Sequence, residues 1–320
     1  MKTAAVLAGT LGFCACGCVN FHAPPAHAAE PYAGVYQRAT NEFAEAEFFK
    51  PTETKTNDLT FALAPLILQQ VKGANGPLSL PDRFGTWSVL NGAPVLDPSH
   101  PAIYWEADAV QIRGKAHARF CYIWCYPPDP YESGHRQSAN SMSPDRAEPA
   151  LPLQGIRITL NSTGQPVVWE VLADSSGAQL FIVSQNLEAA AAAEFGKPLP
   201  GRRYAIERSV GACPGVIVAR AVDDSPMVMG PIVYLSAGTR QVSTLICRCM
   251  PAQARKLLAT RTYDLLPFEI ASTNSLIMQA RAVLMKGTAF WPGDQTAGNR
   301  LESCLRLPEA FSSSQNTIAR

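Results

Sequence analysis

The sequence predicts an α+β fold: a mainly antiparallel sheet built from meanders and hairpins, with a few packed helices. Three observations predict it. Short apolar runs alternate with period two, as half-buried strands do. Tight turn signals such as Asn91-Gly92, Ser162-Thr163-Gly164 and Ser175-Ser176-Gly177 separate them. Strand-like runs also outnumber helical ones and come in turn-linked groups, with no repeat of fixed period.

The chain opens with Lys2, its only charge before Glu30, and a small or apolar run from Thr3 to Val19. Ala26-His27-Ala28 then offers a small-x-small cut, so residues 1–28 read as a secretory signal peptide. A second exit lies inside the same segment. Phe13-Cys14-Ala15-Cys16 resembles a lipobox, which makes 1–15 a lipoprotein leader and Cys16 the lipidated residue, a membrane tether without a transmembrane helix. Either exit predicts export to the periplasm or outer cell envelope.

Residues 41–49 carry helix-forming Ala and Glu up to Pro51, and a second helix is expected after the cap-like Asn57-Asp58, interrupted at Pro65. Strands follow at 86–90, 103–112 and 115–126. Residues 127–153 are rich in Pro, Ser, Asp, Asn and Glu and read as a loop or linker between an N-terminal α+β region, 29–126, and a C-terminal one, 154–320; the two can also form one domain. Strands at 155–160, 166–172 and 179–184 form a meander, and 187–195 is an alanine-rich helix stopped by Gly196 and Pro198. Further strands are expected at 203–208, 215–222, 231–235 and 241–247, with helices at 251–260 and 273–286.

Composition narrows function. A hydrophobic content of 47% suffices for a core, and a net charge of +1 argues against nucleic acid as a partner. The balance is uneven: from Gly201 onward there are 14 Lys/Arg against 8 Asp/Glu. Docking against the more acidic first half explains this as well as an anionic surface does. Cleavage after Ala28 leaves six of nine cysteines, an even number that in an exported chain points to disulfides.

The hairpin 103–126 concentrates the candidate chemistry. A two-residue Arg113-Gly114 turn makes paired positions sum to 227, so that Trp105 faces Tyr122, Glu106 faces Cys121 and Asp108 faces Arg119. One side then carries Trp105, Tyr122 and Trp124, a candidate stacking platform whose plainer reading is the core face of a sheet. The other carries Glu106, Asp108 and His117, candidate acid/base groups whose plainer reading is a solvated face, together with Cys121 and Cys125. A regular strand holds Cys121 and Cys125 about 13 Å apart, too far to bond each other. Cys247 and Cys249 lie where an apolar strand gives way to Pro251. About 7 Å apart in a strand, they sit at the limit for a bridge. With Cys121 and Cys125 they are the candidate ligands for a soft metal such as copper or zinc, although the first expectation is no cofactor. Asp223-Asp224 before Ser225-Pro226 reads as a turn.

Three functions follow. The first is an exported envelope protein that binds or scaffolds a protein or small-molecule partner without catalysis. The second is a thiol-based metal-binding or redox protein, and the third a carboxylate-dependent envelope hydrolase. No nucleophile elbow, phosphate loop, His-Glu-x-x-His or haem-attachment motif occurs.

Overall fold

The computed structural model describes residues 32–40, 43–53, 55, 57–71, 77–90, 93–127, 153–174, 176–250, 254–270, 278 and 297–312. The segment 1–28 expected as a leader, most of the 127–153 segment and nearly all of the 273–286 helix expected from the sequence lie outside them.

The elements are α1 (Ala33–Thr40), β1 (Phe43–Pro51), α2 (Leu59–Leu63), β2 (Leu66–Gln70), β3 (Thr86–Leu90), β4 (Ala93–Asp97), β5 (Ala102–Ile112), β6 (Lys115–Cys125), β7 (Leu153–Leu160), β8 (Pro166–Leu172), β9 (Gln179–Ser184), α3 (Gln185–Phe195), β10 (Val216–Val222), β11 (Pro231–Leu235), β12 (Val242–Cys247), β13 (Ala254–Pro267) and α4 (Ala297–Cys304). Eleven strands form one sheet in the order β10-β9-β8-β7-β6-β5-β13-β1-β2-β11-β12, and β3 pairs with β4.

This corrects the expected fold class. The sheet is mixed rather than mainly antiparallel: β1 with β13, β13 with β5, β2 with β11 and β9 with β10 all run parallel. It also curls until it is nearly a closed barrel. A single buried cluster takes side chains from all eleven strands, among them Phe49, Ile67, Ile103, Tyr122, Leu245 and Tyr263. Such a shared interior requires curvature, since a flat sheet would not bring the faces of β1 and β8 together. The two edge strands, β10 and β12, approach each other, and α1 lies against both, adding Val35 and Ala39 to the same interior.

Two segments expected as helices are strands. Residues 41–49 fall largely in β1, and 251–260 overlap β13. Their Ala, Glu, Leu and Lys favour helix, but a long-range pairing overrides that weak preference. Glu47 on β1 is fully buried, accepting from the Leu78 amide at 2.8 Å and from Arg261 Nε of β13 at 2.5 Å. Residues 203–208 are turns with one isolated bridge, Glu207 to Leu305, rather than a strand.

Two local signals hold, one of them with help from distant residues. Asp58 caps α2, its Oδ1 accepting from the Thr60 amide at 2.8 Å. The β5–β6 turn places Arg113 (φ 49°) and Gly114 (φ 73°) in the left-handed region, as a type I′ turn demands. Arginine is poorly suited there, but contacts beyond the turn fix it: its amide donates to Glu302 Oε1 at 3.1 Å and its guanidinium to the Leu307 carbonyl.

Candidate functional site

The β5–β6 register has the expected sum, with Trp105 opposite Tyr122, Glu106 opposite Cys121 and Asp108 opposite Arg119. Trp105, Tyr122 and Trp124 face the barrel interior, where Tyr122 and Trp124 are wholly buried and Trp105 is partly so. Protein fills the space a stacked ligand would need. The Tyr122 hydroxyl donates to the Thr60 carbonyl at 2.8 Å, and burial pushes its pKa well up.

Outside the barrel, Glu106, Cys121, Arg157 and Glu170 make one row across β5, β6, β7 and β8. Arg157 and Glu170 are buried and bonded at 3.1 Å, and Gln179 Nε2 donates to the second oxygen of Glu170 at 3.0 Å. Asp108 accepts from both arms of Arg119, one at 2.7 Å. His117 serves elsewhere. Its Nδ1 donates to the Leu160 carbonyl at 3.1 Å, so Nε2 accepts from Ser312 Oγ at 3.2 Å, and Phe311 lies against the ring. Burial lowers its pKa and keeps the ring neutral. Asp108 and His117 thus spend their polar atoms on different partners and share no acid/base geometry. Cys121 and Cys125 are buried thiols, the latter pushed far up by desolvation. Among the described residues, no group of three or more His, Cys, Asp or Glu side chains is placed to hold a metal ion.

The other cysteine pair is different. β12 ends at Cys247, and the chain turns back at once, with the Met250 amide donating to the Cys247 carbonyl at 3.1 Å. Leaving the strand brings the Cα atoms of Cys247 and Cys249 to 5.2 Å, and the two are joined in a disulfide. Arg248 between them turns inward and donates to the Ala64 carbonyl. That carbonyl belongs to an acceptor cluster at the end of α2. Ala62 takes the Gly230 amide at 2.9 Å, Pro65 the Tyr263 hydroxyl at 2.6 Å, and Thr60 the Tyr122 hydroxyl. Gly230 is needed there, because a Cβ would strike the Leu63 carbonyl. The Cys-Arg-Cys loop is therefore riveted to a rigid platform through its middle residue.

The two sulfurs are unequal. Cys247 is 6% exposed and its Sγ accepts from the Cys249 amide at 3.2 Å, whereas Cys249 is exposed. Cys247 and Met250 line a small solvent-open cleft with Gln185, Arg220, Asp223 and Ile246. The cleft lies at the seam where β10 approaches β12, and Arg220 also donates to the Ala39 carbonyl of α1 at 3.2 Å. Comparison with known proteins returns no match. No family model, curated protein or solved structure matches the chain, so geometry alone carries the reading of this site.

Chemically, the arrangement is an electrophilic sulfur with a prepared leaving group. Exchange requires an incoming thiolate to reach one sulfur while the other departs as thiolate. Cys249 is the exposed residue of the pair, and the amide hydrogen bond to Cys247 Sγ favours that sulfur as the one that leaves. The cysteine spacing was legible in the sequence. Gln185 and Arg220, which complete the cleft, were not; the signal for Arg220 is one charge inside the apolar run 216–222.

Proposed function

We propose that this is an exported protein that carries out thiol–disulfide exchange through Cys247 and Cys249. The observation that carries the reading is a disulfide between an exposed cysteine, Cys249, and a buried one, Cys247, whose Sγ accepts an amide hydrogen bond and which lines a solvent-open cleft. A bridge spanning three residues adds about 1.6 kcal/mol by loop entropy, against about 3 for a 15-residue loop, so stabilisation is a weak reason for it. The exported part of the reading rests on the signal-like segment 1–28, and an oxidising compartment would keep such a pair oxidised.

In the proposed step a substrate thiolate attacks Cys249 Sγ, the Cys247–Cys249 bond breaks, and Cys247 leaves as thiolate. A second substrate thiolate then attacks the substrate sulfur of the mixed disulfide. That yields a substrate disulfide and the Cys247/Cys249 dithiol, with the two substrate protons ending on the two cysteines. Arg220 and Asp223 line the cleft beside Cys247, the leaving sulfur, and their opposite charges suit a small polar thiol or a cysteine-bearing peptide.

Single-cysteine trapping tests this. The C247S variant, challenged with a thiol-reactive disulfide probe, should accumulate a stable mixed disulfide at Cys249, and C249S should react at least tenfold more slowly at Cys247. Equal, slow labelling of both variants in the folded state would overturn the reading and leave a non-catalytic binding protein with an inert bridge.

A further inference from the structure

Two further thiols converge where the C-terminal segment meets the barrel. Cys213 belongs to the loop 209–215, which Arg202 gathers by donating to the carbonyls of Arg208 at 2.8 Å and Val216 at 2.5 Å. Cys304 ends α4, just before Leu305 bridges Glu207. Backbone and arginine bonds sew the two segments together: the Arg306 amide to the Ile206 carbonyl at 2.7 Å, and Arg208 Nε to the Glu302 carbonyl at 2.8 Å.

At this seam Cys213 Sγ donates to the Ser303 carbonyl at 3.1 Å. In a trans peptide that oxygen lies roughly 2.8 Å from the next Cα, so Cys213 sulfur lies within roughly 6 Å of the Cys304 Cα. Both cysteines are free thiols; Cys213 is partly exposed and Cys304 buried, its Sγ 3.6 Å from Gln179 Oε1. Burial pushes the Cys304 thiol up to about 11, which makes Cys213 the one to react first.

We propose that Cys213 and Cys304 are a second disulfide-forming pair, which on oxidation locks the C-terminal segment 297–312 onto the barrel. The oxidant is a disulfide of the glutathione class. Cys213 thiolate attacks it, forming a mixed disulfide and releasing one thiol. Cys304 thiolate then attacks Cys213 sulfur and expels the second thiol, so both cysteine protons end on the two released thiols. The lock has something to hold. The segment it fixes donates Ser312 Oγ to His117, accepts from Lys115 Nζ at 2.6 Å through the Ser312 carbonyl, and supplies Phe311 to the His117 ring.

The test is non-reducing peptide mapping of the full chain after equilibration with oxidised glutathione. Trypsin separates Cys213, in 209–220, from Cys304, in 301–306, and also cuts between Cys247 and Cys249 at Arg248. The expected product is the linked pair 209–220 with 301–306, two hydrogens lighter than the separate peptides. The oxidised wild type should also melt roughly 5–10 °C above C213S treated identically, because the bridge closes a long loop. Cys213 held as a stable glutathione adduct, or both thiols still free in the folded protein, would overturn the pairing. Since Cys247 and Cys249 fall in other peptides, that result would be independent of the exchange activity.

Discussion

Replacing Arg248 by methionine separates its anchoring role from its neighbours' chemistry. Methionine preserves the apolar stem but removes the donor to the Ala64 carbonyl, and Ala64 is fully buried. An orphaned buried carbonyl costs about 1–3 kcal/mol, of which relief from burying a guanidinium returns part, leaving about 1–2. For a protein of this size that corresponds to a fall in Tm of roughly 2–8 °C. The anchor also preorganises the loop. Held through its middle residue, the chain keeps Cys247 and Cys249 at bridging distance after reduction. Without that hold the dithiol gains freedom, and about 1.4 kcal/mol of coupling shifts the equilibrium tenfold, or about 30 mV, toward the dithiol. Equilibration of wild type and R248M against glutathione buffers, read by alkylation and mass, measures this directly. A lower Tm with a redox equilibrium within twofold of wild type would refute the argument, making Arg248 a purely structural tie.

Two other perturbations follow from the same geometry. Glu47→Gln leaves Arg261 and Arg83 without their buried counter-charge; with Arg261 partly exposed, we expect a loss of about 2–4 kcal/mol in urea unfolding. A loss below about 1 kcal/mol would remove Glu47 as the tie between β1 and β13. His117 has a folded pKa lowered by burial, so the unfolded chain binds its proton first as pH falls. Its contribution is full above the unfolded value of about 6.5 and declines as pH drops toward the folded one. Stability measured from pH 7 to 5 should therefore fall less steeply in His117→Gln than in wild type, and parallel curves would contradict this.

What the sequence disclosed was local. In the β5–β6 hairpin, opposite charges at Asp108 and Arg119 and aromatics at Trp105 and Tyr122 specify one register, and that register is present. The meander from β7 to β9 and the Asp58 cap are likewise written within a few residues of where they act. β1 and β13 are not. Each pairs with a strand about 200 residues away in sequence, and their Glu-, Ala- and Lys-rich composition points to helix until the partner is known. The site divides the same way. Cys247 and Cys249 announce themselves by spacing, whereas Arg220 and Gln185 join them only because the sheet curls enough for β10 to meet β12. Ideal strand spacing put the two cysteines at the limit for a bridge, and the turn at Cys247 is what brings them inside it.

The position of β13 has a consequence for how the molecule comes into being. It stands between β5 and β1, so six strands on one side and four on the other are joined by strand pairing through residues 254–267. β1 and β5 are made long before the strand that mates them, whereas β12 ends at Cys247, just before β13 begins at Ala254. Until then β1 and β5 each present an open row of amides and carbonyls, and the apolar lining of the future interior stays uncovered. Pairings that span this much of the chain favour slow assembly. Loss of residues from 254 onward removes the strand through which the two groups of strands pair.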